Sequence, residues 1–136
     1  FEDLFEAGHS KVLVIGSDLP TLPVRYIEDA LSQIHDSLVV LGPSLDGGYY
    51  LIGLSAPKEN EPIPDLFTDI RWSTTSTLED TILAAENADL TVSQVKPWYD
   101  IDTTDELSRL QEDLRVTKHI QRAPATARTL RRIIPR

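Results

Sequence analysis

The stretch KVLVIGSDLPTLP, residues 11–23, decides how this chain begins to fold. Its first part, KVLVIG (11–16), is short, apolar and β-branched, which is typical of a buried strand. Pro23 suits the first turn of a helix, where its missing N–H is not needed. Apolar residues then recur at helical spacing: Val24, Ile27, Leu31 and Ile34. The stretch therefore predicts a strand at 11–16 and a helix at about 23–34, with Asp18 just beyond the strand's carboxyl end.

Further strands are predicted downstream of this unit. LVVLG at 38–42 is a second short apolar run, and its distance from the first predicts a strand–helix–strand unit with parallel strands and a right-handed crossover. YYLIGL at 49–54 and LTVSQV at 90–95 predict two more strands, and IRW at 70–72 predicts a short edge strand. The chain is thus predicted to be an α/β protein with a mixed, partly parallel sheet.

Helices are predicted around these strands. Thr103 followed by Glu106 is a capping box, which predicts a helix at about 104–115. Ser73 or Thr75 is the predicted cap of a helix that runs to about Asn87. A first helix is indicated by Leu4, Phe5 and Ala7 among acids, and a last short one from Pro124 by Leu130, Ile133 and Ile134.

The composition limits the kind of protein this is. Hydrophobic residues make up 40% of the 136-residue chain and charged residues 26%, which is ordinary for one globular domain spanning 1–136. No apolar run reaches about 18 residues, so we expect no membrane partner. The chain has no cysteine, which excludes disulfides and thiolate zinc sites and fits a reducing cytoplasm. We therefore expect a cytoplasmic protein.

The charge of the chain is unevenly distributed. Residues 1–106 carry 5 basic and 20 acidic residues, a net −15, whereas 107–136 carry 8 and 2, a net +6, so the chain sums to −9. An acidic body disfavours nonspecific binding to nucleic acid and suits ligands that arrive with a divalent cation. For the basic tail, 117–136, docking on its own acidic body is favoured over binding an anionic partner.

Acidic motifs follow three of the predicted strands. In open α/β sheets, ligands bind outside the carboxyl ends of the strands. Each motif alone is typical of a cap or a turn, but three at one sheet edge indicate a site where Mg²⁺ or Mn²⁺ and a phosphate-bearing substrate bind. The motifs are Ser17-Asp18, Asp46-Gly47-Gly48 and Asp100-Ile101-Asp102.

Four ordered motifs resemble one family. They are GSDLP (16–20), LGPSLDGGYYLIGL (41–54), LFTDIRWSTTSTLEDT (66–81) and YDIDTTDEL (99–107). Together they resemble a GT-A-type, glycosyltransferase-like family of formerly unknown function with members in arsenosugar biosynthesis. More distantly the chain is similar to molybdenum-cofactor guanylyltransferase and 2-phospho-L-lactate guanylyltransferase. The resemblance covers about residues 1–134 and implies a three-layer α/β/α fold with a mixed, mostly parallel sheet.

The resemblance also implies roles for particular residues. Asp18 and Asp102 match the family's metal-binding acids, with Asp100 as the less favoured partner of Asp18. Asp46 matches the acid of the Asp-Gly-Gly turn, which faces the donor sugar or the acceptor, and it is the predicted catalytic residue. The predicted substrate-binding residues are Ser17, Gly47, Gly48, Trp72 and Ser73. For Trp72 the alternative is a core or rim aromatic.

The implied activity is transfer of a sugar from a nucleotide-sugar donor to a small acceptor, with Mg²⁺ or Mn²⁺. The alternatives are transfer of a nucleotide from a nucleoside triphosphate to a phosphorylated small molecule, and a noncatalytic interaction module. Family members carry a strand and a Gly- and basic-rich nucleotide loop ahead of the segment that Phe1 begins. We therefore expect the chain to lack its N-terminal part, to have an uncovered edge at its first strand, and to form a homo-oligomer through that edge.

Overall fold

A computed structural model describes residues 1–36 and 38–133 of the chain. Helices and strands are interspersed up to residue 94, and the elements described from there to residue 133 are helices. In chain order the elements are α1 (Glu2–Glu6), β1 (Lys11–Ile15), α2 (Val24–Gln33), β2 (Leu38–Pro43), β3 (Tyr49–Ser55), α3 (Thr77–Asn87), β4 (Thr91–Gln94), α4 (Thr104–Asp113), α5 (Thr117–Arg122) and α6 (Pro124–Ile133). The predicted α/β class is confirmed.

The four strands form one mixed sheet in the order β1-β3-β2-β4. β3 pairs antiparallel with both β1 and β2, and β4 pairs parallel with β2. β1, β2 and β4 therefore run in one direction and end at the same edge of the sheet. The strand–helix–strand prediction was right about direction, but β1 and β2 are not neighbours because β3 lies between them. β1 is an edge strand, and its Val14 and Ile15 are 45% and 44% exposed.

The predicted edge strand at 70–72 is wrong. Asp69 and Ser73, on either side of it, have left-handed φ angles of 60° and 58°, so the backbone turns where a strand would stay extended. The Arg71 backbone N–H donates to the Asp80 carboxylate at 3.0 Å and not to a neighbouring strand. The predicted cap of the next helix is also wrong, since α3 begins after Ser76.

The central strands are buried on both faces. Successive side chains of a strand point to opposite faces, so Leu38 and Val40 pack with α2 in one cluster while Val39 and Leu41 pack with α1 and α3 in another. All four are buried. The sheet is thus the middle of three layers, as the resemblance implies.

A third apolar cluster joins the last three helices. Leu110 of α4 and Leu114, just after that helix, pack with Ala123 and with Ala127 of α6, and Ile101 packs against them. The capping box at Thr103 is confirmed, whereas α5 was missed. Among the described residues, no ion pair joins 117–133 to the acidic body, so apolar contacts hold the basic tail in place. Leu130 packs against this cluster, Ile133 is exposed, and Ile134 lies outside the described residues.

No helix within the described ranges combines the length and apolar character needed to cross a membrane.

Leu66 anchors the long segment between β3 and α3. It is fully buried among Leu41, Ile52 and Ala85. We expect Leu66→Ala to lower the free energy of unfolding by about 2–5 kcal/mol, because a cavity adds to the lost transfer free energy. Leu83→Ala, at a side chain that is 55% exposed, should change it by less than about 0.5 kcal/mol. Urea titration of both variants checks this; equal losses would show that Leu66 is not an anchor.

Candidate active site

The loops that follow β1, β2 and β4 meet at one edge of the sheet. The Ile101 N–H donates to the Asp18 carbonyl oxygen at 3.1 Å, which joins the loop after β4 to the loop after β1. Ser44 and Trp98 form a parallel bridge, and the Trp98 N–H donates to the Pro43 carbonyl oxygen at 3.1 Å. Backbone hydrogen bonds therefore hold all three acidic motifs beside one another.

Three carboxylates converge at this edge. Asp46, Asp100 and Asp102 each have an oxygen within 4.8 Å of the other two; Asp46 and Asp102 are exposed and Asp100 is partly buried. We call these three residues the acidic cluster. The Asp18 carboxylate is not in the cluster: it is exposed and accepts a hydrogen bond from the Ser17 hydroxyl at 3.2 Å. The structure thus brings Asp102 together with Asp46 and Asp100, and a metal role for Asp18 stays a prediction.

The Asp46 side chain closes the turn between β2 and β3. The Ser44 hydroxyl and the Gly48 N–H, the latter at 3.0 Å, both donate to its Oδ1. The Ser44 hydrogen bond is the main cause that holds the pKa of the Asp46 carboxyl below its ordinary value, with the Gly48 N–H adding to it against the opposing effect of burial. Asp46 is therefore a fixed, ionised carboxylate, in which form it can bind a cation.

The neighbouring acids differ in their environments. Burial raises the pKa of Asp100, and the charges of Asp46, Asp102 and Glu106 raise it further. The N–H groups of Asp102 and Thr103 donate to Glu106 at 2.9 and 2.7 Å, and these bonds lower the pKa of Glu106. Negative charge is thus concentrated around the partly buried carboxyl of Asp100, and a divalent cation bound to the cluster would neutralise that charge.

Gly47 places the acidic turn against α3. Its φ of +94° lies in the left-handed region, and a Cβ there would be 2.4 Å from the Thr75 carbonyl oxygen. The Leu78 N–H of α3 donates to the Gly47 carbonyl oxygen at 3.0 Å. No side chain fits at this position, so glycine at position 47 is a structural requirement of the turn.

The segment that carries Trp72 and Ser73 lies next to this turn. Arg71 forms a two-point ion pair with Asp80, at 2.9 and 2.7 Å, and its carbonyl oxygen accepts from the Thr74 and Thr77 hydroxyls. Trp72 is 50% exposed, which excludes a core role and leaves a rim or a substrate role. Ser73 has the left-handed φ given above and is exposed.

Sequence reasoning missed some residues of this site. Ser44 was not singled out, although a serine two residues before an aspartate is typical of local side-chain turns. Phe67, whose ring stacks on that of Trp72, was missed because a surface phenylalanine in an irregular segment gives no periodic signal. The resemblance favours Asp102 over Asp100 as the partner of Asp18, whereas in the structure the carboxylates of Asp100 and Asp102 lie together with that of Asp46.

The sequence and the fold are similar to those of known proteins. Residues 1–74 match the model of a family described as "Uncharacterized protein conserved in bacteria (DUF2064)". Because these residues are more than half of the chain, the chain belongs to this family.

The chain is also similar to a solved structure, a "putative nucleotide-diphospho-sugar transferase" from Desulfovibrio desulfuricans G20. The two are 31% identical with a TM-score of 0.79, over 96% of this chain and 55% of that one. The chain thus spans about half the length of that relative. No curated protein matches the chain. The expected GT-A-like fold is confirmed, whereas the kinship with arsenosugar enzymes and guanylyltransferases stays a prediction.

Gly47→Ala should destabilise the protein by at least about 2 kcal/mol, because a left-handed φ costs an L-residue roughly 1–2 kcal/mol and the Thr75 backbone occupies the space. Two matched variants separate these causes. Gly8 has a φ of +91° with no atom within 4 Å of an added Cβ, and Gly16 has neither constraint. Chemical denaturation should rank the losses Gly47 > Gly8 > Gly16; a Gly47 loss no larger than that of Gly8 would contradict the close contact.

Low pH should destabilise the segment that carries Trp72, because protonation of Asp80 breaks its ion pair with Arg71. The Arg71 side chain, with the Arg71 N–H, holds the pKa of Asp80 at about 2, below its ordinary 3.8. A lowered folded-state pKa stabilises the fold above the ordinary value, and this contribution is lost as pH falls from about 4 to about 2. Between about pH 4 and pH 2, the Tm of Asp80→Asn should therefore decrease less than the Tm of the parent protein. Asp89→Asn, at an exposed turn, should not, and an Asp80→Asn profile as steep as the parent's would refute the assignment.

Proposed function

We propose that the protein is a metal-dependent transferase that moves a sugar from a nucleotide-sugar donor to a small acceptor. The observation that carries the proposal is the acidic cluster at the carboxyl edge of the sheet, in a chain similar to a protein described as a nucleotide-diphospho-sugar transferase. In α/β sheets of this kind, that edge is where ligands bind.

The acidic cluster fits a hard divalent cation. Mg²⁺ takes oxygen ligands at about 2.0–2.1 Å, so two ligand oxygens on opposite sides of the ion are about 4 Å apart. The oxygens of the three carboxylates lie within 4.8 Å of one another, a separation that small side-chain rotations bring to this value. Asp102 with Asp100 and Asp46 would hold Mg²⁺ or Mn²⁺. Asp18, on the hydrogen-bonded neighbouring loop, would supply a further ligand after a rotamer change.

The cation, when bound, would neutralise charge on the diphosphate that leaves the donor. The protein's own residues would fix the positions of the ligands. Ser44 and Gly48 hold the Asp46 carboxylate in one orientation, and the capping box holds the backbone beside Asp102. Because both are held before any ligand arrives, little ordering is required on binding.

The remaining predicted residues would bind the two substrates. Ser17 precedes Asp18 on the loop after β1 and would face the donor side. Gly47 and Gly48 would contribute only backbone atoms of the Asp46 turn, since the Thr75 backbone fills the space that a side chain at position 47 would need. Trp72 and Ser73 lie on the segment that packs against this turn and would face the acceptor. The catalytic role of Asp46 would be electrostatic, since its lowered pKa makes it a weak proton acceptor.

Mn²⁺ binding, followed by the EPR signal of free Mn²⁺, tests the site without turnover. We expect Asp102→Asn to weaken Mn²⁺ binding at least about tenfold, since an amide replaces a charged ligand. Asp46→Asn and Asp100→Asn should act in the same direction. Asp36→Asn, at an exposed acid next to the opposite edge of the sheet, is the matched control. If Asp102→Asn and Asp36→Asn bind Mn²⁺ as tightly as the parent, the metal site is refuted.

The same Mn²⁺ titration of Asp18→Asn shows whether Asp18 is a ligand in addition to the three residues of the acidic cluster. A loss as large as that of Asp102→Asn makes Asp18 a ligand, and unchanged binding limits the site to the acidic cluster.

The reaction class is read from the products. Incubation of a longer version of the protein, one that spans the full length of the similar structure, with nucleotide sugars and Mn²⁺ should release a nucleoside diphosphate. Asp102→Asn should lower the rate about 100-fold, which corresponds to several kcal/mol of lost charge stabilisation. Nucleotidyl transfer would instead release pyrophosphate from a nucleoside triphosphate. Mn²⁺ binding with neither product, over a panel of donors and acceptors, would favour the noncatalytic module.

A further inference from the structure

Four aromatic side chains form a row on the surface. The ring of Phe1 is 5.9 Å from that of Phe5 and 6.2 Å from that of Phe67, and the ring of Phe67 is 6.4 Å from that of Trp72. The last two pairs are stacked, with interplanar angles of 22° and 23°. We call these residues the aromatic row. Phe67 is 41% and Trp72 is 50% exposed, so the row ends in two stacked rings that face solvent.

The backbone that carries these two rings is fixed. The Asp65 carboxylate accepts from the N–H groups of Phe67 and Thr68, both at 3.1 Å. On the other side of the turn, the Arg71–Asp80 ion pair and the Thr74 hydroxyl hold the backbone next to Trp72. A ring that stacks here would meet a surface that is already ordered, which lowers the entropic cost of binding.

The charges around the row are negative. An open cleft of about 410 Å³ lies beside Phe1 and Phe67. Its walls are apolar at Ile63 and Pro64, its charged lining residues are Glu2, Asp3 and Asp65, and no basic residue is among the described residues that line it. The charge of Arg71 is paired with Asp80. A phosphate group would therefore be repelled from this surface.

A short segment of chain links the aromatic row to the turn that carries Asp46. Thr75 packs against Gly47, the residue after Asp46. Three residues span at most about 11 Å, so Trp72 lies within that distance of Thr75. A small molecule that stacks on Trp72 would thus lie on the segment that packs against the Asp46 turn.

We propose that Phe67 and Trp72 form an acceptor subsite for a small molecule that presents an apolar ring and carries no phosphate. The inference rests on the proposed function and narrows it, since it names the class of acceptor. Stacking on two aromatic faces gives affinity, and the surrounding carboxylates exclude phosphorylated compounds, which are the acceptors that the nucleotidyl alternative requires.

Three probes with one ring and different charge test the subsite: phenethyl alcohol, phenethylamine and phenyl phosphate. Their binding to the full chain is followed by ligand-observed NMR without metal or donor. We expect the alcohol and the amine to bind and phenyl phosphate to bind at least tenfold more weakly. Phe67→Ala and Trp72→Ala should each weaken binding of the alcohol about fivefold, the scale of one lost aromatic contact. Leu83→Ala, which removes another exposed apolar side chain, is the control.

A second titration separates acceptor from donor binding. With Mn²⁺ and a nucleoside diphosphate present, the alcohol should still bind, since the two ligands would occupy different parts of the site. Mutual exclusion would assign the rings to the nucleobase and overturn the proposal, as would equal binding of phenyl phosphate or no effect of either aromatic substitution. If the parent protein binds the ring compounds but neither binds Mn²⁺ nor turns over a donor, the proposed function is refuted. The assignment of Phe67 and Trp72 as a binding site for an apolar ring would then still hold.

Discussion

The shared direction of β1, β2 and β4 is the constraint on which the rest of the structure depends. β3 aligns β1 with β2, because it pairs antiparallel with both, and β4 has the same direction because it pairs parallel with β2. The loops that follow the three strands consequently leave the sheet at one edge, and a single backbone hydrogen bond, from Ile101 to Asp18, joins two of them. The convergence of carboxylates is therefore a result of topology, and the apolar clusters on both faces of the sheet stabilise that topology.

Bringing like charges together opposes folding, and the structure offsets this with local hydrogen bonds. Ser44 and Gly48 donate to Asp46, and the capping box donates to Glu106. Asp100 has no such donors from neighbouring side chains among the bonds described, and its pKa is raised. An arrangement that satisfies some carboxylates and leaves others facing one another is typical of a site that a cation completes.

Local sequence patterns predicted the elements better than their pairing. The strands at 11–16, 38–42 and 49–54 are found within a residue or so, because each is a short apolar run with clear ends. That β3 lies between β1 and β2 could not be predicted, since pairing depends on contacts between distant residues. The acidic edge followed from the strand-end rule, but which carboxylates meet depends on loop details: the Asp46 side chain faces Asp100 because Ser44 and Gly48 orient it, and Asp18 instead accepts from Ser17.

Binding of a divalent cation to the acidic cluster can be tested by anomalous scattering from a crystal soaked with Mn²⁺ and a nucleoside diphosphate. We expect a manganese peak about 2.2 Å from carboxylate oxygens of Asp102 and at least one of Asp46 and Asp100, with phosphate oxygens completing the shell. A fully ordered nucleoside diphosphate with no manganese peak at these carboxylates, or a peak elsewhere on the molecule alone, would contradict it.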